Sequence, residues 1–154
     1  MNYHLAQMNI AKILAPLDNP IMKDFVDNLD RINGLAEASD GFVWRLKDES
    51  NSATNLRIFD DDMIIVNLSL WASVNALMTY IYKTDHAVFL KRKKEWFEKM
   101  PDAFMALWYI PENTTPTLAE AVARLEYLKA HGDTPYAFTF RKKYTSQDAT
   151  QYNP

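Results

Sequence analysis

The segment Met63-Ile-Ile-Val-Asn-Leu-Ser-Leu-Trp71 decides the fold of this chain, because it is the most continuous apolar run in the sequence. β-Branched and aromatic residues favour strands, and a run of this kind is typical of a central strand that is covered on both faces. Asn67 and Ser69 interrupt it, so it falls short of the ~18 apolar residues that indicate a membrane-spanning helix. We therefore predict a sheet with this strand at its centre.

Helical patterns begin at three capping signals on either side of this strand. These signals are Asn19-Pro20, Ser73 and the capping box Thr117-Leu-Ala-Glu120, and Gly132 is predicted to end the last helix. The apolar stripes that follow the signals are Ile21, Phe25, Leu29 and Ile32; Val74, Leu77, Met78 and Ile81; and Leu118, Ala121, Val122, Leu125 and Leu128.

One more helical pattern follows a kink predicted at Thr84-Asp85 and ends at Pro101. It carries His86, Phe89, Leu90, Phe97 and Met100. Further strands are predicted at residues 4–10, 42–46, 103–110 and 137–140, a polar loop at 47–55, and an acidic turn at Asp60-Asp61-Asp62 that lacks the calcium-loop spacing.

The predicted order of elements is β-α-β-β-α-β followed by an added α-β. This order predicts an α+β fold of the ferredoxin-like type with a C-terminal extension. Residues 1–141 are expected to form one domain and residues 142–154 a polar tail with little to bury. Helices in such a fold cover one face of the sheet, so a second copy of the chain is expected to cover the other face, in a homodimer with two facing sheets.

Several classes of protein are excluded by composition. The chain has no cysteine, hence no disulfide framework and no thiolate metal site, and its three histidines offer little for a transition-metal site. A net charge of −3 gives no broad basic surface for nucleic acid. The N-terminus lacks the pattern of a signal peptide. We predict a cytoplasmic protein with no metal and with neither nucleic acid nor membrane as a partner.

The candidate site centres on His86. By helical spacing His86 shares a face with Tyr82, Phe89 and Leu90, so it is predicted to point towards the sheet. An imidazole among aromatic rings can be a general base, a hydrogen-bond donor to a ligand or an axial haem ligand. The alternative is a core histidine that bonds to the backbone or to a nearby Asn.

Polar residues in the central strand and the tryptophans complete the candidate site. Asn67 and Ser69 share one strand face with Trp71, and they either face a cavity or pair with neighbouring strands or with His86; Asn9 in the first strand is open to the same two interpretations. The four tryptophans, Trp44, Trp71, Trp96 and Trp108, suit the walls of a pocket for a flat ligand, or else the core and the dimer interface.

Positive charges have simpler interpretations. The run Lys91-Arg-Lys-Lys94 is predicted to be mainly a solvated face, although Arg92 or Lys93 could turn inward to bind a carboxylate such as a haem propionate. Arg45 is explained by stacking or by a salt bridge without a ligand.

Seven stretches of this sequence resemble a bacterial family catalogued as domain of unknown function 3291. The resemblance runs from about residue 3 to residue 141. The stretches are His4-Leu-Ala-Gln-Met-Asn9, Gly41-Phe-Val-Trp-Arg-Leu46, Asn67-Leu-Ser-Leu-Trp71, Tyr82 to His86, Arg92-Lys-Lys-Glu-Trp-Phe97, Leu107-Trp-Tyr-Ile-Pro111 and Ala137-Phe-Thr-Phe140.

The resemblance implies a dimeric α/β barrel, since the family is placed in that superfamily. By that analogy the chain is expected to form a homodimer and to bind a small apolar or aromatic ligand. Its expected activity is that of a cofactor-independent monooxygenase. His86 would be the base, Asn67 the partner of the developing oxyanion, and the expected ligand-binding residues are Tyr82, Trp71, Trp96, Trp108, Ser69 and Phe89. The alternatives are haem binding through His86 and a non-catalytic binding or stress-response barrel.

Overall fold

The structure is a computed structural model that describes residues 2–47, 63–100 and 104–154. Four strands form one sheet: β1 (Tyr3–Lys12), β2 (Phe42–Arg45), β3 (Ile64–Trp71) and β4 (Met105–Pro111), in the order β2-β3-β1-β4. All neighbouring strands are antiparallel. This is the predicted ferredoxin-like order, with β3 and β1 in the centre. The predicted acidic turn at 60–62 and the loop positions after Lys47 lie outside the described residues.

The pairing register determines which side chains share a face of the sheet. Leu5 lies opposite Trp71, Gln7 opposite Ser69, and Asn9 opposite Asn67. Directly opposed residues of antiparallel strands project to the same side. The polar residues of β1 and β3 therefore lie next to one another.

One face of the sheet packs against α1 (Lys23–Glu37) and α2 (Val74–Lys83), and we call it the α1/α2 face. Its buried apolar residues are Leu5, Ala36, Trp71, Leu77, Tyr80, Leu107 and Phe138. The opposite face packs against α4 (Leu118–His131), and we call it the α4 face. Its cluster includes Met8, Leu68, Leu70, Trp108, Ala121, Leu125 and Leu128.

The prediction that helices cover only one face of the sheet is wrong. α4 follows β4 directly and covers the second face within the same chain, where Met8 and Trp108 are both 0% exposed. The predicted homodimer therefore does not follow from an uncovered sheet face. It stays a prediction that the fold type motivates.

A 3₁₀ turn at Pro20–Met22 precedes α1 and changes the predicted apolar stripe. Asn19 caps this turn as predicted, with its Oδ1 accepting from the Ile21 N–H at 3.1 Å. The tighter turn shifts the phase of the helix, because a 3₁₀ turn has about three residues instead of 3.6. Ile21 is consequently 52% exposed, and Met22 takes the buried position.

The second helical region is broken where the kink was predicted. α2 begins after Ser73, whose Oγ accepts from the Ala76 N–H at 3.1 Å, and α3 (His86–Lys91) starts after the break at Thr84-Asp85. The predicted helix that carries Phe97 and Met100 is wrong. α3 ends at Lys91, a 3₁₀ turn follows at Lys93–Glu95, and Phe97 forms a β-bridge with Ile13.

The predicted capping box of α4 is half formed. Thr117 Oγ1 accepts from the Glu120 N–H at 3.1 Å, but Glu120 Oε1 accepts from the indole N–H of Trp108 at 3.2 Å. Gly132 ends the helix as predicted, with φ +75° and its N–H donated to the Leu128 carbonyl. The Glu120 side chain thus links α4 to the sheet.

Residues 142–154, predicted as a polar tail, contain a fifth helix, α5 (Ser146–Gln151), with a complete capping box between Thr145 and Asp148. Tyr109 donates its hydroxyl to the Tyr144 carbonyl at 2.7 Å. The predicted strand at 137–140 is wrong, because its link to the sheet is a single bridge between Phe138 and Leu107.

Replacing Thr117 with alanine is expected to lower the free energy of unfolding by about 1 kcal/mol, because an N-terminal N–H of α4 loses its acceptor. Urea unfolding of the variant and the wild type measures the difference. Thr114, whose hydroxyl bonds to a carbonyl outside any helix, is the matched control, and Thr114→Ala is expected to cost less. Equal losses in the two variants would contradict the capping role.

Candidate functional site

A patch of four polar side chains lies on the α1/α2 face in the centre of the sheet. We call it the polar floor, and it consists of Gln7, Asn9, Asn67 and Ser69. Gln7 and Ser69 are 5% and 6% exposed, Asn9 is half-buried and Asn67 is exposed. The floor therefore passes from a buried end to an open end within two neighbouring strands.

A chain of hydrogen bonds joins the buried end of the floor to Trp71. The Trp71 Nε1–H donates to Ser69 Oγ at 2.9 Å, and Ser69 Oγ–H donates to Gln7 Oε1 at 2.9 Å. The Gln7 Nε2–H then donates to Asn9 Oδ1 at 2.6 Å. These bonds offset the cost of burying three polar side chains under the helices.

An aromatic stack connects this chain to His86. Trp71 and Tyr80 are stacked with their centroids 5.1 Å apart, and the rings of Tyr80 and His86 are 4.9 Å apart. Burial raises the pKa of the Tyr80 phenol well above its usual range. Tyr80 therefore stays protonated, and it donates to the Ile32 carbonyl at 3.3 Å.

The tautomer of His86 is set by the backbone of α2. Its Nδ1 lies 3.2 Å from the Ile81 carbonyl oxygen, which can only accept, so Nδ1 carries the proton and Nε2 carries the lone pair. Burial lowers the pKa of His86 from its usual 6.5, and the Ile81 carbonyl opposes this in part. His86 is thus neutral near pH 7, with a basic nitrogen to offer.

A second aromatic cluster lies beyond the open end of the floor. It contains Trp96, which is 1% exposed, and Phe89, whose ring stacks on Trp96 with the centroids 5.9 Å apart. Ile65 of β3 packs against this cluster. On the α1/α2 face of β3, Asn67 lies between Ile65 and Ser69. The polar floor is thus flanked by the Trp71–Tyr80–His86 stack on one side and by the Phe89–Trp96 cluster on the other.

Two of the predicted ligand-binding residues lie elsewhere. Trp108 lies on the α4 face, on the far side of the sheet from His86. Tyr82 is 51% exposed, and its ring packs edge-on against Phe140 with the two ring centroids 6.3 Å apart. The break at Thr84-Asp85 ends the helical spacing between residues 82 and 86, and Tyr80 takes the place that Tyr82 was expected to fill.

Asn67 keeps a free side chain in this arrangement. Its amide makes no hydrogen bond to any residue in the described parts of the chain, and His86 bonds to Ile81 instead. The alternative in which Asn67 pairs with His86 is therefore wrong. Ser69, by contrast, is paired with neighbouring strands, as the other interpretation expected.

Gln7 and Tyr80 were not predicted as site residues from the sequence, and Arg45 was predicted to have a structural role without a ligand. Arg45 lies opposite Ser69, its side chain is 7% exposed, and its Nε donates to Glu37 Oε1 at 2.8 Å. The Arg45–Glu37 salt bridge agrees with the simple interpretation. The signal for Gln7 was present in the sequence, because Gln7 and Asn9 alternate in β1 as Asn67 and Ser69 do in β3.

The basic run at 91–94 is an element of surface packing. Arg92 donates to Asp24 at 2.9 Å and to Glu95 at 2.7 Å, and its guanidinium lies 4.7 Å from the Trp96 ring centroid. Arg31 similarly pairs with Asp85 at 3.0 Å. These contacts hold α3 and the following turn against α1, and they place Arg92 next to carboxylates of its own chain.

Other possible sites are limited. Within residues 2–47, 63–100 and 104–154, no three metal-ligating side chains lie together, and no helix is long and apolar enough to cross a bilayer. A shallow depression of about 370 Å³ lies at the start of α2. It contains none of the predicted site residues, and its lining is Asp40, Gly41, Ala72, Ser73, Asn75, Ala76 and Thr79.

The lowered pKa of His86 predicts a pH-dependent stability. Well above pH 6.5 the imidazole is neutral in both states, whereas near and below pH 6.5 the unfolded chain takes up a proton more readily than the folded chain. The free energy of unfolding should therefore fall as the pH falls below 6.5 and through the lower folded pKa, and the fall should be smaller in His86→Gln.

Urea unfolding at about pH 7.5 and about pH 5 measures this difference. His131→Gln is the control, since His131 is exposed at the end of α4 and lies outside the aromatic stack that holds His86. An identical pH dependence of wild type and His86→Gln would contradict the buried, neutral state of His86.

Comparisons with known structures agree with this fold. NE2512, a protein of unknown function from Nitrosomonas europaea, is 11% identical with a TM-score of 0.50, over 75% of this chain and 96% of that chain. SnoaB, a cofactor-independent oxygenase from Streptomyces nogalater, is 14% identical with a TM-score of 0.50, over 76% of this chain and 100% of that chain. At these identities the likeness shows the fold alone. No curated protein sequence matches the chain.

The sequence itself matches one family model over residues 4–153, which is nearly the whole chain and includes α5. The match confirms the resemblance noted in the seven stretches quoted above. The chain therefore belongs to the family described as a domain of unknown function, DUF3291.

Proposed function

We propose that this protein binds a small aromatic molecule over the polar floor and oxygenates it without a cofactor. The observation that carries the proposal is the state of His86: a neutral imidazole whose Nδ1–H is held by the Ile81 carbonyl, so that Nε2 can accept a proton. A base whose pKa lies near or below the working pH is suited to general-base catalysis.

The surroundings of His86 support an aromatic ligand. The polar floor lies between the half-buried rings of His86 and Phe89, which are backed by the buried Tyr80 and Trp96, and Asn9 and Asn67 offer hydrogen bonds there. Binding sites for small molecules commonly combine apolar walls with a few polar groups. The fold that this chain shares with the oxygenase SnoaB is compatible with such a site.

Proton removal is the step that the protein would supply. His86 Nε2 would take a proton from an acidic position of an electron-rich aromatic substrate, and the resulting anion would pass one electron to O₂. The substrate radical and superoxide would then combine into a peroxide. With anthrone, loss of water from that peroxide gives anthraquinone, so one atom of O₂ enters the product and the other leaves as water with two substrate hydrogens.

In this proposal Asn67 hydrogen-bonds to the developing oxyanion. Its amide has no acceptor among the described residues and is open to solvent, so it can donate to a ligand. Preorganised donors of this kind stabilise negative charge as it develops.

Oxygen uptake with anthrone as the test substrate examines the proposal. We expect uptake of one O₂ per anthraquinone formed, faster with the protein than in buffer at the same pH. A rate equal to that of buffer, with anthrone and with related phenolic polycycles, would contradict oxygenation.

Haem binding is the second candidate, because a histidine whose Nδ1–H bonds to a carbonyl presents Nε2 in the form that binds iron. The polar floor fits the apolar face of a porphyrin poorly, so we rank this candidate lower. Adding haem to the purified protein tests it. A shift of the Soret band that His86→Ala removes would favour haem over the oxygenase.

We also propose that the protein is a homodimer, on the ground of its resemblance to the dimeric α/β-barrel superfamily, and that it is cytoplasmic. Light scattering coupled to gel filtration should then give twice the chain mass of 17.9 kDa. A mass of one chain at micromolar concentration would contradict the dimer.

A further inference from the structure

We infer that Asn9 is the recognition residue of this site and that it selects ligands carrying an acceptor oxygen, such as a quinone carbonyl or a phenolate. The inference rests on the proposed ligand site and names the chemistry that the site recognises. It follows from the direction of the hydrogen bonds between Trp71 and Asn9.

The donor-to-acceptor direction of this series of hydrogen bonds is determined at its buried end, at Trp71. An indole N–H can only donate, so Ser69 Oγ must accept from Trp71. The Ser69 hydroxyl proton then needs an acceptor of its own in a buried position, and Gln7 Oε1 at 2.9 Å provides it. The reverse orientation of the Gln7 amide would leave that buried proton without an acceptor, which costs free energy.

The same reasoning fixes the amide of Asn9. Since Gln7 uses Oε1 towards Ser69, its Nε2 faces Asn9 and donates, so Asn9 must present Oδ1 to it. The Nδ2 group of Asn9 is consequently directed away from Gln7 with two N–H donors. No acceptor in the described parts of the chain binds these donors.

Asn9 lies where a ligand can reach it. Its side chain is half-buried, and Asn67 lies directly opposite on β3 and is exposed. Two neighbouring amides thus stand at the open end of the floor, and one of them has its orientation determined by Trp71. Asn9 therefore presents donors to this space, and the complementary ligand atom is an acceptor.

The flanking rings determine the rest of the ligand. The half-buried rings of His86 and Phe89, which belong to the two aromatic clusters beside the floor, suit a planar ring system. A site that is built to hydrogen-bond one group of a ligand discriminates against an analogue that lacks the group. The predicted ligand is thus a planar polycycle with an oxygen at its edge, and the bare hydrocarbon should bind less well.

The test compares 1,4-naphthoquinone with naphthalene, which has the same ring system without oxygens. The chain has no cysteine, so no thiol is present to add to the quinone. Dissociation constants come from calorimetric titration of the wild type and of Asn9→Asp. A carboxylate at residue 9 still accepts from Gln7 Nε2, but it removes the N–H donors and repels a quinone oxygen.

We expect Asn9→Asp to weaken naphthoquinone binding by about tenfold or more and to leave naphthalene binding unchanged. Trp71→Phe should also lower the preference for naphthoquinone over naphthalene, because it removes the indole N–H that orients Ser69, Gln7 and through them the amide of Asn9. Trp108→Phe, on the α4 face, should leave this preference unchanged.

Three results would overturn the inference. If the wild type binds both compounds equally, or if Asn9→Asp weakens both equally, then Asn9 does not recognise an acceptor oxygen, although the proposed ligand site stands. If the wild type binds neither compound, the inference and the proposed ligand site are both wrong.

Discussion

Gly41→Ala is expected to destabilise the protein by about 3 kcal/mol or more, through two separate causes. Gly41 has φ +83°, a conformation that costs about 1–2 kcal/mol in a residue with a Cβ. A Cβ at this position would also lie 2.5 Å from the Cβ of Ala76 on α2, which the backbone of the helix holds in place. Gly41 accepts from the Ala72 N–H at 2.7 Å, so the two segments cannot simply separate.

The other two glycines separate these causes. Gly132 has φ +75° and nothing within 4 Å of a Cβ, so Gly132→Ala should show the conformational cost alone, about 1–3 kcal/mol. Gly34 lies within α1 with open space around it, and Gly34→Ala should stabilise the helix by about 0.5–1 kcal/mol. Urea unfolding of the three variants and the wild type measures the change in the free energy of unfolding that each substitution causes. A smaller loss for Gly41→Ala than for Gly132→Ala would contradict the close approach of α2.

Replacing His86 with glutamine is expected to lower the rate of anthrone oxygenation by about 10²–10⁴-fold, which is the usual contribution of a general base. Glutamine can still donate to the Ile81 carbonyl, so the local structure is preserved while the proton acceptor is lost. Initial rates of oxygen uptake at pH 7 and at saturating anthrone measure the effect.

The controls for this prediction come from the same chain. His131→Gln should leave the rate unchanged, because His131 lies at the exposed end of α4. The rate of His86→Gln should also stay low at each pH once the rate of the same reaction in buffer has been subtracted. If His86→Gln keeps the wild-type rate, His86 is not the base.

Much of the fold could be predicted because local signals agreed with it. The apolar run at 63–71, the caps at Asn19, Ser73 and Thr117, and Gly132 each mark an element that the structure contains. The coverage of the second sheet face was missed. An amphipathic helix after β4 does not reveal from its sequence which face of the sheet it will cover, and α4 covers the face that a second chain was expected to cover.

The site was only partly predictable, because tertiary contacts determine it. Trp71 and Ser69 were placed correctly on one strand face, since alternation along a strand is a local property. Tyr82 was assigned to the face of His86 by helical spacing, although a kink was predicted between them at Thr84-Asp85. The break there brings the ring of Tyr80, which was not named from the sequence, into contact with His86. Trp108 was placed near His86, but the alternation of β4 directs it to the α4 face.

The central claim is that the polar floor between the two aromatic clusters binds a planar ligand. Nuclear magnetic resonance of ¹⁵N-labelled protein tests it directly, since Trp71 and Trp108 each give one indole N–H signal on opposite faces of the sheet. Titration with 1,4-naphthoquinone should shift the Trp71 indole and the side-chain amides of Asn9 and Asn67, and it should leave the Trp108 indole in place. Shifts confined to Trp108, or no shift at Trp71, Asn9 and Asn67 once the titration is complete, would contradict the account.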